Sequence, residues 1–349
     1  MITSNTRAFA AQSATTPLVP FSLQRRTVGP TDVRIKIAYC GVCHSDLHQV
    51  RNEWGGTNYP IVPGHEIVGE VTEVGPAVTK FKLGDRVGVG CLVDSCRECE
   101  SCKQGLEQFC SNGTTGTYNG KDKISGGFTY GGYSDQVVVE QNFVLLVPEN
   151  LPLEAVAPLL CAGITTYSPL RHWKIGPGHK VAVVGLGGLG HMAVKFAASF
   201  GAEVTMLSTN PTKEKDAKHL GAHYFALTTE PSELALLQNK FDYILNTVSA
   251  PHDYNNLLGL LNVNGVMICV GVPPVPMQFR GFSLLRNRRS IAGSSIGGIK
   301  ETQEMLDYCG KHNITSEIEL IPINYINEAY ERMVKGDVKY RFVIDMQTL

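Results

Sequence analysis

At 349 residues the chain is long enough for two domains, each with its own core. Its 31 Lys and Arg nearly balance 32 Asp and Glu, and neither sign is blocked along the sequence. This argues against a nucleic-acid or anionic-membrane binder. No stretch approaches the roughly 18 apolar residues of a membrane-spanning helix, and MITSNTRAFAAQSATTP carries neither a long apolar run nor a basic leader. Ten cysteines in such a chain read as metal ligands and buried thiols rather than disulfides, so a cytoplasmic protein is expected.

The first 150 residues are short β-type runs punctuated by Gly and Pro: VRIKIAYCGVC, IVPGHEIVGEVTEVG, DRVGVG and YSDQVVVEQNFVLLVP. That pattern predicts a partly open β-barrel or sandwich with long cysteine-bearing loops. Two metal signals lie in this region. CGVCHSDLH and PGHE, together with the later LLCAGITTY, can supply one Cys, one His and one Cys, a donor set that leaves a fourth position open, as in catalytic zinc sites. Spacing alone does not bring three such distant segments together, nor choose between Cys40 and Cys43. The second signal is CRECESCKQGLEQFC, where Cys96, Cys99, Cys102 and Cys110 can close a tetrahedron around a structural zinc.

Near Pro158 the pattern changes to alternating β and α segments. Six strands are expected from Lys180 onward: KVAVVG, EVTML, HYFAL, FDYILNT, GVMICVG and RSIAGS. This is the signature of a doubly wound parallel sheet. After the first strand, VAVVGLGGLG sets Gly185, Gly187 and Gly190 in a GxGxxG turn, with Gly188 and Leu189 between them. Such a turn lets a pyrophosphate approach the backbone and rest on a helix N-terminus. The second strand ends in Ser208, Thr209 and Asn210, where NAD enzymes place an acid. With Lys213 nearby, that end favours the 2′-phosphate of NADP over NAD, while Asn210 also suits a helix cap, Pro211 a first turn and Gly221 a stop. The last 55 or so residues hold two helices, KETQEMLDYCGKH and INEAYERMVKG, and a strand, KYRFVID. They are too few for an independent core and are expected to fold back onto the first domain.

CGVCHSDLHQ, PGHEIVGEV, the four-cysteine lobe, LLCAGITTYSPL and VVGLGGLGH follow one another in an order that resembles the zinc-containing medium-chain alcohol dehydrogenases. Within them the chain looks most like the NADP-dependent, cinnamyl-alcohol-dehydrogenase-like branch, from about residue 30 onward. The resemblance implies an α/β protein: a GroES-like partly open barrel forming the catalytic domain (1–157 and 295–349, lobe about 91–112), plus a Rossmann domain (158–294). It implies two Zn²⁺ per chain. The catalytic ion would be held by Cys43, His65 and Cys161, with Glu66 behind it as an exchanging ligand, and the structural ion by the four lobe cysteines. Asp46 would orient His65, Ser45 and His48 would relay a proton, and His44 would touch the pyrophosphate. The implied reaction is reversible hydride transfer between NADP(H) and a primary alcohol or aldehyde, in a cleft between the domains. Homodimers are common in the family, and the implied partner is a small molecule only.

Trp54, Tyr59, Leu92 and Tyr118 are candidates for the apolar wall of the substrate site. His172, His179, His219, His223, His252 and His312 read as surface or capping residues, and Arg286, Arg288 and Arg289 as a solvated strand end. Cys40, Cys91, Cys269 and Cys309 read as buried thiols. Two competing readings are an NAD-dependent polyol or secondary-alcohol dehydrogenase and, in another class, a zinc-binding interaction module.

Overall fold

A computed structural model describes residues 4–349; the first three residues, part of the segment read as lacking a leader, lie outside them. The chain divides into two compact units, Met1–Ile164 with Gly297–Leu349, and Thr165–Ile296. Among the described residues no helix is long and apolar enough to cross a membrane.

The first unit is built on a seven-stranded sheet. Its order runs Ile318–Pro322, Arg341–Asp345, Asp32–Gly41, Ile67–Val74, Arg86–Val89 and Leu145–Leu146, with Gln136–Glu140 also pairing onto Asp32–Gly41. All these pairs are antiparallel except Ile318–Pro322 with Arg341–Asp345. A hairpin of Ser4–Ala10 and Val19–Arg25 joins it through bridges at Ala8–Ser134 and Ala11–Ile61. Val33, Ile35, Ile37, Val68, Val71, Val87 and Val89 fill the core, as the β-branched runs of the sequence require. The expected return of the C-terminal segment is present: Arg341–Asp345 pairs with Tyr39–Gly41. Its partner strand Ile318–Pro322 is not among the sequence expectations; it is only five residues long and ends on a proline.

The second unit is a six-stranded parallel sheet ordered Tyr224–Leu227, Glu203–Ser208, Lys180–Val184, Phe241–Asn246, Leu261–Cys269, Ser290–Gly293. In chain order this is 3-2-1-4-5-6, the doubly wound arrangement whose strand order reverses beside the first strand. Five strands coincide with the runs read from the sequence to within a residue, and the fifth begins at Leu261, four residues before the expected GVMICVG. Asn210 caps as expected, its Oδ1 accepting the Thr212 N–H at 2.9 Å, but Pro211–Lys213 is a 3₁₀ turn before the helix Glu214–His219, and Gly221 ends it at φ +111°. Arg289 departs from expectation. It is buried, and its guanidinium donates to the carbonyls of Leu261, Ser283 and Gly259 and to Asn239 Oδ1. One member of the basic run is thus buried among acceptors that lie 6 to 50 residues away in sequence.

Candidate metal and cofactor sites

The helix His44–Val50 opens at Cys43, which is extended at φ −114° and ψ 152°, and Asp46 closes a capping box with it. Asp46 is fully buried and gathers three donors: Oδ2 accepts the Cys43 N–H at 2.9 Å, while Oδ1 accepts the Gly64 N–H and His65 Nδ1, both at 3.0 Å. One carboxylate therefore starts the helix, fixes the PGHE turn and sets the His65 ring, leaving Nε2 as the nitrogen free to ligate. The turn needs glycine at position 64. Its φ is +104°, and a Cβ there would lie 2.7 Å from the Tyr133 ring and 2.8 Å from Cys40 Sγ. Cys161 follows the 3₁₀ turn Ala157–Leu160.

Cys43, His65, Glu66 and Cys161, all buried, bring one donor atom each within 4.8 Å of one another. Two sulfurs bonded to one tetrahedral zinc at roughly 2.3 Å stand about 3.8 Å apart. Cys43 and Cys161 are 4.0 Å apart as free thiols, so the donor set fits the ion. Glu66 Oε2 has no hydrogen-bond partner, as expected of a carboxylate oxygen behind a cation. The Cys161 hydrogen bond, and then Arg341 and His65, hold Cys43 well below the usual thiol range against desolvation. Cys161 is pushed up by the same contact. Burial, opposed by Arg341, raises the Glu66 carboxyl to about 7.

Sequence reasoning missed two neighbours of this cluster and one of His48. Arg341 is 5 % exposed, pairs through Nη2 with Glu66 Oε1, and places Nη1 3.9 Å from Cys43 Sγ. Only the pairing of the last strand brings it there. Cys91 is half-buried rather than fully buried, and its thiol lies against the Leu160 carbonyl at 3.8 Å. Cys269 is also half-buried, whereas Cys40 and Cys309 are buried as expected. The third, Glu53, meets His48 through Oε2 and Nδ1. A carboxylate just past the end of a seven-residue helix was the available signal.

The other predicted residues fall as follows. Ser45 Oγ is 3.6 Å from Cys43 Sγ, and His48 is half-buried with the Trp54 ring at 5.1 Å. His44 is exposed, 6.1 Å from the His48 ring. Tyr118 packs on His65 at 5.7 Å, whereas Tyr59 turns its hydroxyl to the Val50 carbonyl at 2.6 Å and Leu92 is buried. The four lobe cysteines form the second group of donors within 4.8 Å, with Cys96–Cys102 at 3.9 Å and Cys99–Cys110 at 4.0 Å. Backbone N–H groups of Cys99 and Cys96 donate to Cys96 and Cys110 sulfur. Four sulfurs with no further donor make a closed site.

In the second unit the glycine turn has the spacing a dinucleotide needs. Gly185 sits at φ +90°, a Cβ on Gly187 would meet nothing within 4 Å, and one on Gly190 would lie 1.8 Å from the Gly185 carbonyl oxygen. Gly188 and Leu189 lead into the helix Gly190–Ser199, whose buried His191 donates from its backbone N–H to the Gly187 carbonyl at 3.0 Å. Ser208 Oγ accepts the Asn210 N–H at 3.2 Å, Thr209 and Asn210 are exposed, and Lys213 Nζ donates to the Leu186 carbonyl at 3.2 Å. The Ser208–Lys213 segment thus returns to the turn, with no carboxylate among Ser208, Thr209 and Asn210.

Residues 29–149 match the alcohol dehydrogenase GroES-like domain and residues 188–311 the zinc-binding dehydrogenase domain. The chain is 57 % identical to NADP-dependent alcohol dehydrogenase C 1 of Mycolicibacterium smegmatis, over 99 % of both. It is 56 % identical to the aldehyde reductase YahK of Escherichia coli, over 98 % of this chain and 99 % of that one. A cinnamyl alcohol dehydrogenase structure from Sorghum bicolor superposes with a TM-score of 0.96 at 47 % identity, covering 99 % of this chain and 98 % of its own.

Proposed function

The chain belongs to the zinc-containing medium-chain alcohol dehydrogenase family, and from that premise we propose that it is an NADP(H)-linked alcohol dehydrogenase acting mainly as an aldehyde reductase. The observation that carries this is the convergence of Cys43, His65 and Cys161, three donors from segments that span 118 residues, with an orphaned carboxylate oxygen behind them. When bound, zinc supplies Lewis-acid polarisation of a carbonyl and NADPH supplies the hydride. Cys43 and Cys161 sulfur and His65 Nε2 would hold the ion, Asp46 keeps the ring in the ligating tautomer, and Arg341 offsets the buried charge of Glu66 and Cys43. Ser45 Oγ, beside Cys43, would pass a proton to the product oxygen. His48 would exchange that proton with solvent, and Glu53 accepts from its Nδ1. Gly185, Gly187, Gly188, Leu189 and Gly190 would cradle the pyrophosphate, and Ser208, Thr209, Asn210 and Lys213 the 2′-phosphate. We assign the catalytic role to the unit 4–164 with 297–349, and nucleotide binding to 165–296.

Aromatic and medium-length aliphatic aldehydes suit the exposed Trp54 and the Tyr118 ring. Assays of such a panel with NADPH and with NADH test the reading, alongside Cys43→Ser, which should abolish turnover and leave the fold and the lobe zinc intact. Equal or better use of NADH overturns the cofactor assignment. One zinc per chain without reductase activity marks a recognition module instead.

A homodimer is also proposed, joined through the second unit. Strand Ser290–Gly293 is an unpaired edge of its sheet, and Val272, Val275, Phe282 and Leu285 nearby are 62, 51, 81 and 74 % exposed. Leu285→Asp should turn a dimer into a monomer in sedimentation; a wild-type protein that sediments as a monomer refutes the assignment. A cytoplasmic location agrees with ten free thiols, six of them in the two metal-fitting groups. Secretion of the protein in cell fractionation would contradict it.

A further inference from the structure

Two loops of the first unit meet at one side chain. Residues 51–58 follow the helix His44–Val50 and carry Glu53 and Trp54. Residues 117–129 follow the strand Thr115–Gly116. The first loop reverses through Asn52, Gly55 and Gly56 at φ 56°, 76° and 71°. A Cβ at Gly55 or Gly56 would meet nothing within 4 Å, so packing does not hold the turn. At its base, the Thr57 N–H donates to Asn52 Oδ1 at 3.0 Å, and Thr57 Oγ1 donates to the Gln49 carbonyl at 2.6 Å.

From the other loop comes Asn119. Its Oδ1 accepts both the backbone N–H and the side-chain Nδ2 of Asn58 at 2.9 Å, and its Nδ2 donates to the Gly56 carbonyl at 3.2 Å. Asn119 is itself left-handed at φ 54°, a conformation asparagine tolerates, and its N–H is tied to the Thr129 carbonyl at 2.9 Å. The whole carboxamide is spent on the loop that carries Glu53 and Trp54. Those two side chains are the neighbours of His48: Glu53 on Nδ1, and the indole at 5.1 Å and 35°. Trp54 is 50 % exposed, so burial does not enforce that contact.

We propose that Asn119 is a positioning residue for the proton-carrying His48, holding Glu53 and Trp54 against its ring by clamping Gly56 and Asn58. This rests on the relay role assigned to His48 above. Of the remaining titratable groups, the His44 ring lies 6.1 Å from that of His48 and sits on the helix His44–Val50 rather than on the clamped loop.

Asn119→Gly tests the proposal, because glycine keeps the left-handed backbone and removes only the carboxamide. Trp54 and Trp173 are the two tryptophans, so a Trp173→Phe background makes Trp54 a local reporter. In the zinc-loaded Asn119→Gly protein, iodide quenching of Trp54 should rise about twofold and its anisotropy fall. With NADPH and an aldehyde, kcat should fall about tenfold, the loss of one or two hydrogen bonds, with a larger solvent isotope effect and an unchanged NADPH KM. Asn119→Asp, which keeps an acceptor for Asn58, should recover part of the loss. Unchanged Trp54 quenching, or changed quenching with wild-type kcat and isotope effect, overturns the proposal. A His48→Ala protein with full turnover would instead overturn the relay reading, while the fluorescence arm still reports on the clamp.

Discussion

Asp46→Asn is the most informative single change at the metal cluster. The carboxylate serves three N–H donors through two oxygens, and an amide offers one oxygen. If that oxygen takes the Oδ2 place, the amide N–H groups face Gly64 and His65, and the ring must turn its proton onto Nε2, where it blocks ligation. If it takes the Oδ1 place, Gly64 and His65 keep their acceptor, and Nδ2 opposes the Cys43 N–H at the helix start. The second arrangement is the cheaper. It loses one hydrogen bond to a charged group, about 1.5–3 kcal/mol, and weakens the orientation of a metal-ligating histidine, about 10–100-fold in affinity. The expected result is a catalytic zinc that a chelator removes 10–100 times more readily, a lobe zinc unaffected, and stability lower by about 2 kcal/mol in urea at fixed zinc. Chelator competition with metal analysis reads the first two, and equilibrium unfolding the third. A variant that keeps both ions with wild-type affinity refutes the reasoning.

Cys102→Ala should release the lobe zinc alone and cost roughly 4 kcal/mol or more, because a closed site contributes its binding energy to folding; wild-type melting with two ions bound would contradict this. Lys213→Ala should raise the NADPH KM about tenfold, the worth of one charged contact to phosphate, and leave NADH nearly unchanged. Equal effects on the two cofactors would remove Lys213 from the 2′-phosphate site. Burial first, and then the charge of Asp46, pushes the Tyr133 and Tyr330 phenols well above their ordinary 10. The folded state thus keeps protons that the unfolded chain sheds above pH 10, so stability is whole below that pH and falls above it, by about 1.4 kcal/mol per pH unit for each phenol. Alkaline titration should show their tyrosinate absorbance only on unfolding, and a Tyr133→Phe/Tyr330→Phe protein should lose stability less steeply; early absorbance from these two rings would refute the assignment.

Strands of the second unit were legible because each carries a β-branched or apolar run that recurs at parallel-sheet spacing. The glycine turn was legible for the same local reason. The metal cluster was not legible from spacing: Cys43, His65 and Cys161 could be named only through family resemblance, since their meeting depends on how the strands pair. Arg341 illustrates the limit. In the run KYRFVID it reads as an ordinary strand residue, and nothing near it in sequence needs a buried cation; Glu66 and Cys43 do, and they arrive from the other end of the chain. Arg289 failed for a related reason: its partners include the Leu261 carbonyl at the start of another strand, 28 residues away.

The first unit is interrupted by the whole of the second and completed only by its final strand, which delivers Arg341 to Glu66. During synthesis, Cys43, His65 and Cys161 have all emerged more than a hundred residues before that cation. The nascent chain therefore holds its thiols ahead of the charge that balances them, and metal retention becomes a late event of biogenesis. Ribosome-stalled chains ending before residue 341 should accordingly release the catalytic zinc to a chelator that the finished protein resists.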